Sequence, residues 1–243
     1  MMYTMARAIC IIPARSESSR FPNKIFTPIN GEPMFVRVYA IAKASEVFEE
    51  VYVASHNIEV QKACEQADIP FLKTTDQHPC GSSRVFEAAK QVLGPWEVVV
   101  NLQADQPFLP KEYLKTVVGA LKANPIATVA YAETEEKDEH TVKAVLNKHN
   151  EGIYFSRYPI PFSMSESLTT PKFCHLGLYA YTKAFATSYQ GDFQSHLALS
   201  ESLEQLDFIY HGYKIDVGIV PHAVPEVNTP EDLVVAKELG FIQ

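Results

Sequence analysis

Short, continuous apolar runs recur along the chain at Ala8–Pro13, Val51–Ser55, Trp96–Leu102 and Ile126–Ala132. Runs of this length that are rich in β-branched residues and do not alternate predict strands buried on both faces. Between them, Pro33–Ser45, Ile58–Ala67, Ser82–Leu93 and Lys111–Ala123 carry apolar residues near helical spacing. Repeated strand and helix predict an α/β chain with a mostly parallel central sheet flanked by helices. The alternation breaks at about 141–182, where strand-like pieces (Val142–Leu146, Ile153–Ser156, Leu176–Tyr181) surround a Pro- and Ser-rich loop from Tyr158 to Pro171. That stretch reads as a small inserted antiparallel lobe. Tyr213–Val220 predicts a further strand, and Thr229-Pro230-Glu231-Asp232 opens a last helix with an N-cap, a proline at the first position and acids in the first turn.

With 243 residues, 47% of them hydrophobic and 21% charged, the chain can close one sizeable core. The expected organisation is a single domain over 1–243 carrying that lobe. A net charge of −8 repels nucleic acid and anionic membranes, so neither is an expected partner, and a polyanionic substrate needs a local basic pocket. Cys10, Cys64, Cys80 and Cys174 are too far apart for a zinc or redox pairing. They read as thiols of a cytoplasmic protein. Met1–Arg7 leads directly into an apolar strand without a signal-like segment, and no run approaches the roughly 20 apolar residues of a membrane helix.

Candidate chemistry begins just after the first run, in Pro13-Ala14-Arg15-Ser16-Glu17-Ser18-Ser19-Arg20-Phe21-Pro22-Asn23-Lys24. Ligands of open α/β sheets sit beyond the carboxyl ends of strands, which puts Arg15, Arg20 and Lys24 where a ligand belongs. Guanidinium forks and a mobile ammonium suit a triphosphate, although a solvated basic loop has the same composition. Neither G-x-G-x-x-G nor GxxxxGK[ST] occurs, which argues against a dinucleotide fold and a P-loop. A second candidate, Asp105, emerges from an apolar run in Asn101-Leu102-Gln103-Ala104-Asp105-Gln106-Pro107. It suits Mg2+, which takes one or two carboxylates plus substrate phosphates. An aspartate beside a proline is equally common in turns.

The segments IIPARSESSRFPNK, NLQADQPFL, GIYFSRYPIPF, FCHLGLYAY, SLEQL and EVNTPEDL occur in the order of corresponding segments in the 3-deoxy-manno-octulosonate cytidylyltransferase (CMP-Kdo synthetase) family, which the chain resembles from Ile11 to Leu233. The resemblance implies a nucleotide-diphosphosugar-transferase-like fold, usually dimeric, that uses CTP, Mg2+ and an acidic eight-carbon sugar. Arg15, Lys24 and Asp105 fall on its catalytic positions. Ala14, Arg15, Lys24, Ser82, Arg84 and Gln103 fall where CTP is contacted, and Asp105 and Asn228 where metal is held. Arg157, His175, Tyr179, Glu204 and Gln205 match the sugar pocket. Each has a chemistry of its own: a guanidinium can fork onto a carboxylate, and the others can bond hydroxyls. Tyr179 also fits a core position, and Glu204 an exposed helix charge.

The chain departs from the family pattern near these segments. Gly81-Ser82-Ser83-Arg84 stands for Gly-Thr-Glu/Asp-Arg, Ala104 and Gln106 replace the glycine and glutamate of Gln-Gly-Asp-Glu-Pro, and Asn228 replaces the aspartate of Asp-Thr-Pro-Glu-Asp. On this reading the metal site carries one negative charge fewer than usual. Three functions remain open: CMP transfer to Kdo or a closely related acid, the same chemistry on 8-amino-3,8-dideoxy-manno-octulosonate, or a sugar-nucleotide-binding homologue with weak catalysis.

Overall fold

Every residue of the first apolar run is buried, because parallel neighbours flank it on both edges and helices cover its faces. It forms β1 (Ala8–Pro13), followed by a two-residue hairpin, β2 (Pro28–Ile29) and β3 (Glu32–Pro33), then α1 (Met34–Ala44), β4 (Phe48–Ser55), α2 (Ile58–Gln66) and β5 (Phe71–Lys73). Next come α3 (Gly81–Ala89), β6 (Val98–Leu102), α4 (Lys111–Ala120), β7 (Ile126–Glu133), β8 (Lys143–Leu146), β9 (Gly152–Ser156) and β10 (Lys172–Thr182). The chain closes with α5 (Lys183–Ser188), α6 (His196–Glu201), α7 (Gln205–Tyr210), β11 (Ile215–Val220) and α8 (Pro230–Glu238). This computed structural model describes residues 6–15, 21–133, 139–164 and 171–242. Arg20 lies outside them.

The chain packs as two compact units, 1–115 with 224–243, and 116–223. In the first, β6, β1, β4 and β5 pair in that order, all parallel. Cys10 of β1 sits between Val51 of β4 and Val100 of β6, so the apolar centre of the sheet is built from three runs visible in the sequence. The returning C-terminal segment packs α8 onto this unit through Ile29, Met34, Phe108, Val227 and Ala236. At the start of α8, the Asp232 carboxylate accepts the backbone N–H groups of Asn228 and Thr229, both at 2.7 Å. This fixes the turn that carries Asn228.

In the second unit β7 pairs with β11 in parallel and with β10 antiparallel, while β10, β8 and β9 form antiparallel pairs. Strands β8, β9 and β10 lie between residues 143 and 182, and β7, the other antiparallel neighbour of β10, precedes them. A cluster of aromatic rings fills this unit, with Tyr181, Phe185, Tyr189 and Phe208 within 5.0 to 5.9 Å centroid to centroid along its contacts. Burial of four such rings is a dominant stabilising contribution, at roughly 1.5–3 kcal/mol per large side chain.

Three differences from the sequence reading have physical causes. Helix α3 stops at Ala89 because the N–H groups of Gln91 and Val92 turn to the carbonyls three residues back, Ala88 at 3.0 Å and Ala89 at 3.2 Å, and so tighten the chain out of the α-helical ladder. Helix α4 stops at Ala120 because the backbone N–H groups of Lys122 and Asn124 turn to the Asp216 carboxylate at 3.1 and 3.4 Å. The short helices α5 and α6 were not expected, although each begins on a side-chain cap, Thr182 accepting from Phe185 N–H at 3.3 Å and Ser195 from Ala198 N–H at 3.4 Å.

Candidate active site

In the first unit, the loop leaving β1 reaches Lys24 through Asn23, which holds a left-handed φ of 58° at the start of a short turn. The Lys24 ammonium then meets three oxygens: Asp105 Oδ2 at 2.8 Å, Asn228 Oδ1 at 3.1 Å and the Val227 carbonyl at 3.2 Å. Asp105 sits just past the end of β6, and its own carbonyl accepts Val227 N–H at 3.0 Å. The structure therefore brings together Lys24, Asp105 and Asn228, residues 204 positions apart at the extremes. Ala14 is buried and donates its N–H to the Ala54 carbonyl at 2.9 Å, while Arg15 is exposed.

The remaining nucleotide-side candidates occupy a neighbouring network. Ser82, fully buried, accepts from Asn101 Nδ2 at 3.1 Å, and Gln103 Nε2 donates to Asn101 Oδ1 at 3.0 Å. Gly81 opens α3 directly against Gln103: a Cβ there would lie 2.5 Å from Gln103 Nε2. Arg84 is buried and donates to Thr74 Oγ1 at 2.6 Å and to the Thr75 carbonyl at 3.0 Å. It braces the loop between β5 and α3.

The same loop carries residues that motif reading did not single out. His78 meets Ser83 Oγ through Nδ1 at 3.1 Å and Glu87 Oε2 through Nε2 at 2.6 Å. Burial pushes His78 below its ordinary range despite the carboxylate. Burial also opposes the Glu87 charge, but hydrogen bonds from Thr75 and His78 outweigh it and hold that carboxyl below the usual range. A histidine nine positions from a glutamate across a loop has no periodic signature.

Glu226 was also missed. Its Oε1 accepts from Gln106 Nε2 at 3.0 Å and its Oε2 from Asn228 Nδ2 at 3.5 Å. Burial first, and then the neighbouring Asp105 carboxylate, push its pKa upward. The amide that lowered the expected charge at position 106 is thus paired with a new carboxylate, which the sequence concealed because the two lie 120 residues apart.

The sugar-side candidates all lie in the second unit. On β10, His175 Nε2 meets Thr128 Oγ1 at 2.8 Å. That hydroxyl also lies 2.8 Å from the Leu178 carbonyl, which can only accept. Thr128 therefore spends its proton there and accepts from His175, leaving Nδ1 as an acceptor. Burial pushes the His175 pKa down to about 3, so the ring is neutral near pH 7. Its ring lies 5.4 Å from that of Tyr179, whose hydroxyl donates to Gln205 Oε1 at 3.0 Å. Gln205 is 1% exposed, and its Nε2 has no hydrogen-bond partner. A buried amide donor without a partner costs on the order of 1–3 kcal/mol unless something fills the position. Glu204 precedes α7 and is half-buried.

Arg157, just past β9, is engaged differently. Its Nε donates to the Glu201 carbonyl at 2.7 Å, while its terminal nitrogens reach the Glu139 carbonyl at 3.0 Å and the Ser202 carbonyl at 3.3 Å. Glu201 in turn accepts the Arg157 N–H at 2.9 Å and the Ser156 hydroxyl at 2.6 Å. Arg157 therefore ties β9 to the carboxyl end of α6.

A mostly parallel sheet whose loops bring a lysine and an aspartate together beyond the end of β6 defines an α/β protein with a ligand position at the carboxyl ends of its strands. The cytidylyltransferase family model matches residues 9–215, and the chain belongs to that family. It is 37% identical to the 3-deoxy-manno-octulosonate cytidylyltransferase of Parabacteroides distasonis over 98% of this chain and 99% of the relative. It is 36% identical to the 8-amino-3,8-dideoxy-manno-octulosonate cytidylyltransferase of Shewanella piezotolerans, with 92% and 94% covered. Among solved structures it is similar to a CMP:2-keto-3-deoxy-manno-octonic acid synthetase complexed with CTP, at a TM-score of 0.88, 31% identity and coverage of 96% and 98%. No helix among the described residues is long and apolar enough to cross a membrane.

Proposed function

We propose that this protein transfers CMP from CTP to the anomeric hydroxyl of 3-deoxy-manno-octulosonate, in the cytoplasm, as an Mg2+-dependent homodimer serving lipopolysaccharide biosynthesis. The observation that carries the reading is the oxygen cradle around Lys24, built from Asp105, Asn228 and Val227, in a chain that aligns end to end with relatives of that activity. The anomeric oxygen attacks the α-phosphorus, the bond from that phosphorus to the oxygen bridging it to the β-phosphate breaks, pyrophosphate leaves with that oxygen, and the hydroxyl proton passes to solvent.

Lys24 and Arg15 supply positive charge to the triphosphate and to the leaving pyrophosphate. Lys24 holds the cradle until a triphosphate offers it stronger anionic partners. The donor set is entirely hard oxygen, a carboxylate, a carboxamide and a carbonyl, which fits Mg2+, and Asp105 and Asn228 are the residues that would hold it. When bound, the ion would supply Lewis-acid stabilisation of charge on the phosphate oxygens. On the sugar side, His175 Nδ1 accepts from a hydroxyl and Gln205 Nε2 donates to one, an assignment supported by the neutral ring and by the amide's lack of a partner.

A second reading keeps the chemistry with 8-amino-3,8-dideoxy-manno-octulosonate as acceptor. It is supported by the Shewanella relative. Incubation of the purified protein with CTP, Mg2+ and each sugar, followed by pyrophosphate release, decides between them. Release with Kdo supports the first reading, and release with the amino sugar alone supports the second. CTP binding without release from either means the chain is a binding protein and sinks both.

A further inference from the structure

Two departures from the family pattern, Gln106 and Asn228, meet at one side chain. Gln106 Nε2 donates to Glu226 Oε1 at 3.0 Å, and Asn228 Nδ2 faces Glu226 Oε2 at 3.5 Å. Asn228 is oriented by its two ends. Its carbonyl oxygen points at the Lys24 ammonium, 3.1 Å away, and its amide nitrogen points at the carboxylate. An aspartate at 228 would set a second anion 3.5 Å from Glu226, a like-charge contact that a low-dielectric site penalises. A carboxamide at 228 and a carboxylate at 226 therefore belong together.

A separate observation points to a ligand at this place. Gln106 is 3% exposed, and its Oε1 has no hydrogen-bond partner. That oxygen shares a carbon with the Nε2 that contacts Glu226, so an unsatisfied buried acceptor lies beside the same carboxylate. A cation or a metal-bound water satisfies an acceptor of this kind, and a further carboxylate does not.

We propose that Glu226 is the second carboxylate of the divalent-cation site anchored by Asp105, replacing the charge absent at Asn228. The proposal rests on the metal-dependent reading above. In this chain the negative charge has moved by two positions, from 228 to 226, and Gln106 and Asn228 have become the neutral amides that hold the new carboxylate in place. Neither amide can repel it, and both can donate to it. The site then has the two carboxylates typical of a Mg2+ site that also uses substrate phosphates.

The test reads metal binding without turnover. Mn2+ is titrated into protein saturated with CTP, and free ion is followed by electron paramagnetic resonance, with CTP alone as the blank. Glu226→Gln keeps the shape of the side chain and its bond to Gln106. It should raise the Mn2+ Kd by about tenfold or more, with the melting temperature close to that of the parent. Asp105→Asn should weaken Mn2+ at least as much. Parent-like Mn2+ affinity in Glu226→Gln, with binding lost in Asp105→Asn, overturns the assignment of Glu226 and leaves the metal-dependent reading standing. Unchanged affinity in both variants overturns the two together. Should Glu226→Gln fail to fold, Glu226→Asp decides: a shortened carboxylate that weakens Mn2+ by several-fold supports the proposal, and parent-like affinity overturns it.

Discussion

Lys24 and Arg157 are each surrounded by oxygens, yet their partners differ in kind. The Lys24 ammonium touches a carboxylate, a carboxamide and one carbonyl, all on loops after β6 and before α8. The Arg157 guanidinium touches three backbone carbonyls, two of them at the end of α6. A triphosphate can compete for the lysine, because it offers more negative charge than the cradle does. An acidic sugar competes less well for the arginine, because releasing Arg157 leaves carbonyls unpaired and detaches a helix end. Charge near a ligand position is therefore a weaker guide to function than the partners that charge already has.

The largest expected effect breaks the phosphate side. Asp105→Asn should lower turnover by about a thousandfold and Lys24→Ala by about a hundredfold, with melting temperatures near the parent's, since Asp105 lies on a loop and Lys24 at the start of a single short turn. A variant that loses several degrees of stability along with its activity would make that residue structural. Arg157→Ala reverses the pattern: removal of the guanidinium should cost on the order of 2–4 kcal/mol of unfolding free energy. Thermal denaturation in parallel with CTP binding checks this, and a stable variant with a raised KM for sugar alone would place Arg157 on the substrate.

Acid unfolding sharpens the sugar side. His175 has a pKa of about 3 in the folded chain against 6.5 for the free group. Below pH 6.5 the unfolded chain binds a proton that the folded chain refuses, so stability is complete above that pH and falls toward pH 3. The slope is on the order of 1 kcal/mol per pH unit. Phe155, Tyr179 and Thr128 around the ring do not titrate in that window. His78, also pushed down, adds the same sign to parent and variant alike. Denaturant melts of the parent and His175→Asn between pH 7 and 4 should therefore differ in slope, the variant being flatter, and equal slopes would mean that His175 is accessible to protons. The smallest expected effect belongs to Gln205→Met, which removes the unpartnered amide: KM for the sugar should rise by about fivefold with CTP binding unchanged. An unaltered KM would place the amide outside the pocket.

Strand β1 was legible to the residue, because an apolar run of six residues rich in isoleucine is too short for a buried helix and ends at a proline. The last helix was legible from Thr229-Pro230-Glu231-Asp232 alone. Residues 183–210 were not, because their helices are six residues long and are held by aromatic packing among Tyr181, Phe185 and Phe208. On the candidate site, Lys24, Asp105 and Asn228 could be named from motifs. Glu226 could not, since Gln106 and Asn228 each read alone as a lost charge, and only the folded chain shows that both amides face one carboxylate.

The central claim is attack of the sugar's anomeric oxygen on the α-phosphorus of CTP, and an isotope settles it. With the anomeric hydroxyl of 3-deoxy-manno-octulosonate enriched in 18O, the purified protein with CTP and Mg2+ should give CMP-sugar whose phosphorus signal shows the shift of a bridging 18O, with unlabelled pyrophosphate released. Label in the pyrophosphate, a product without bridging 18O, or no sugar nucleotide from either octulosonic acid would contradict the account.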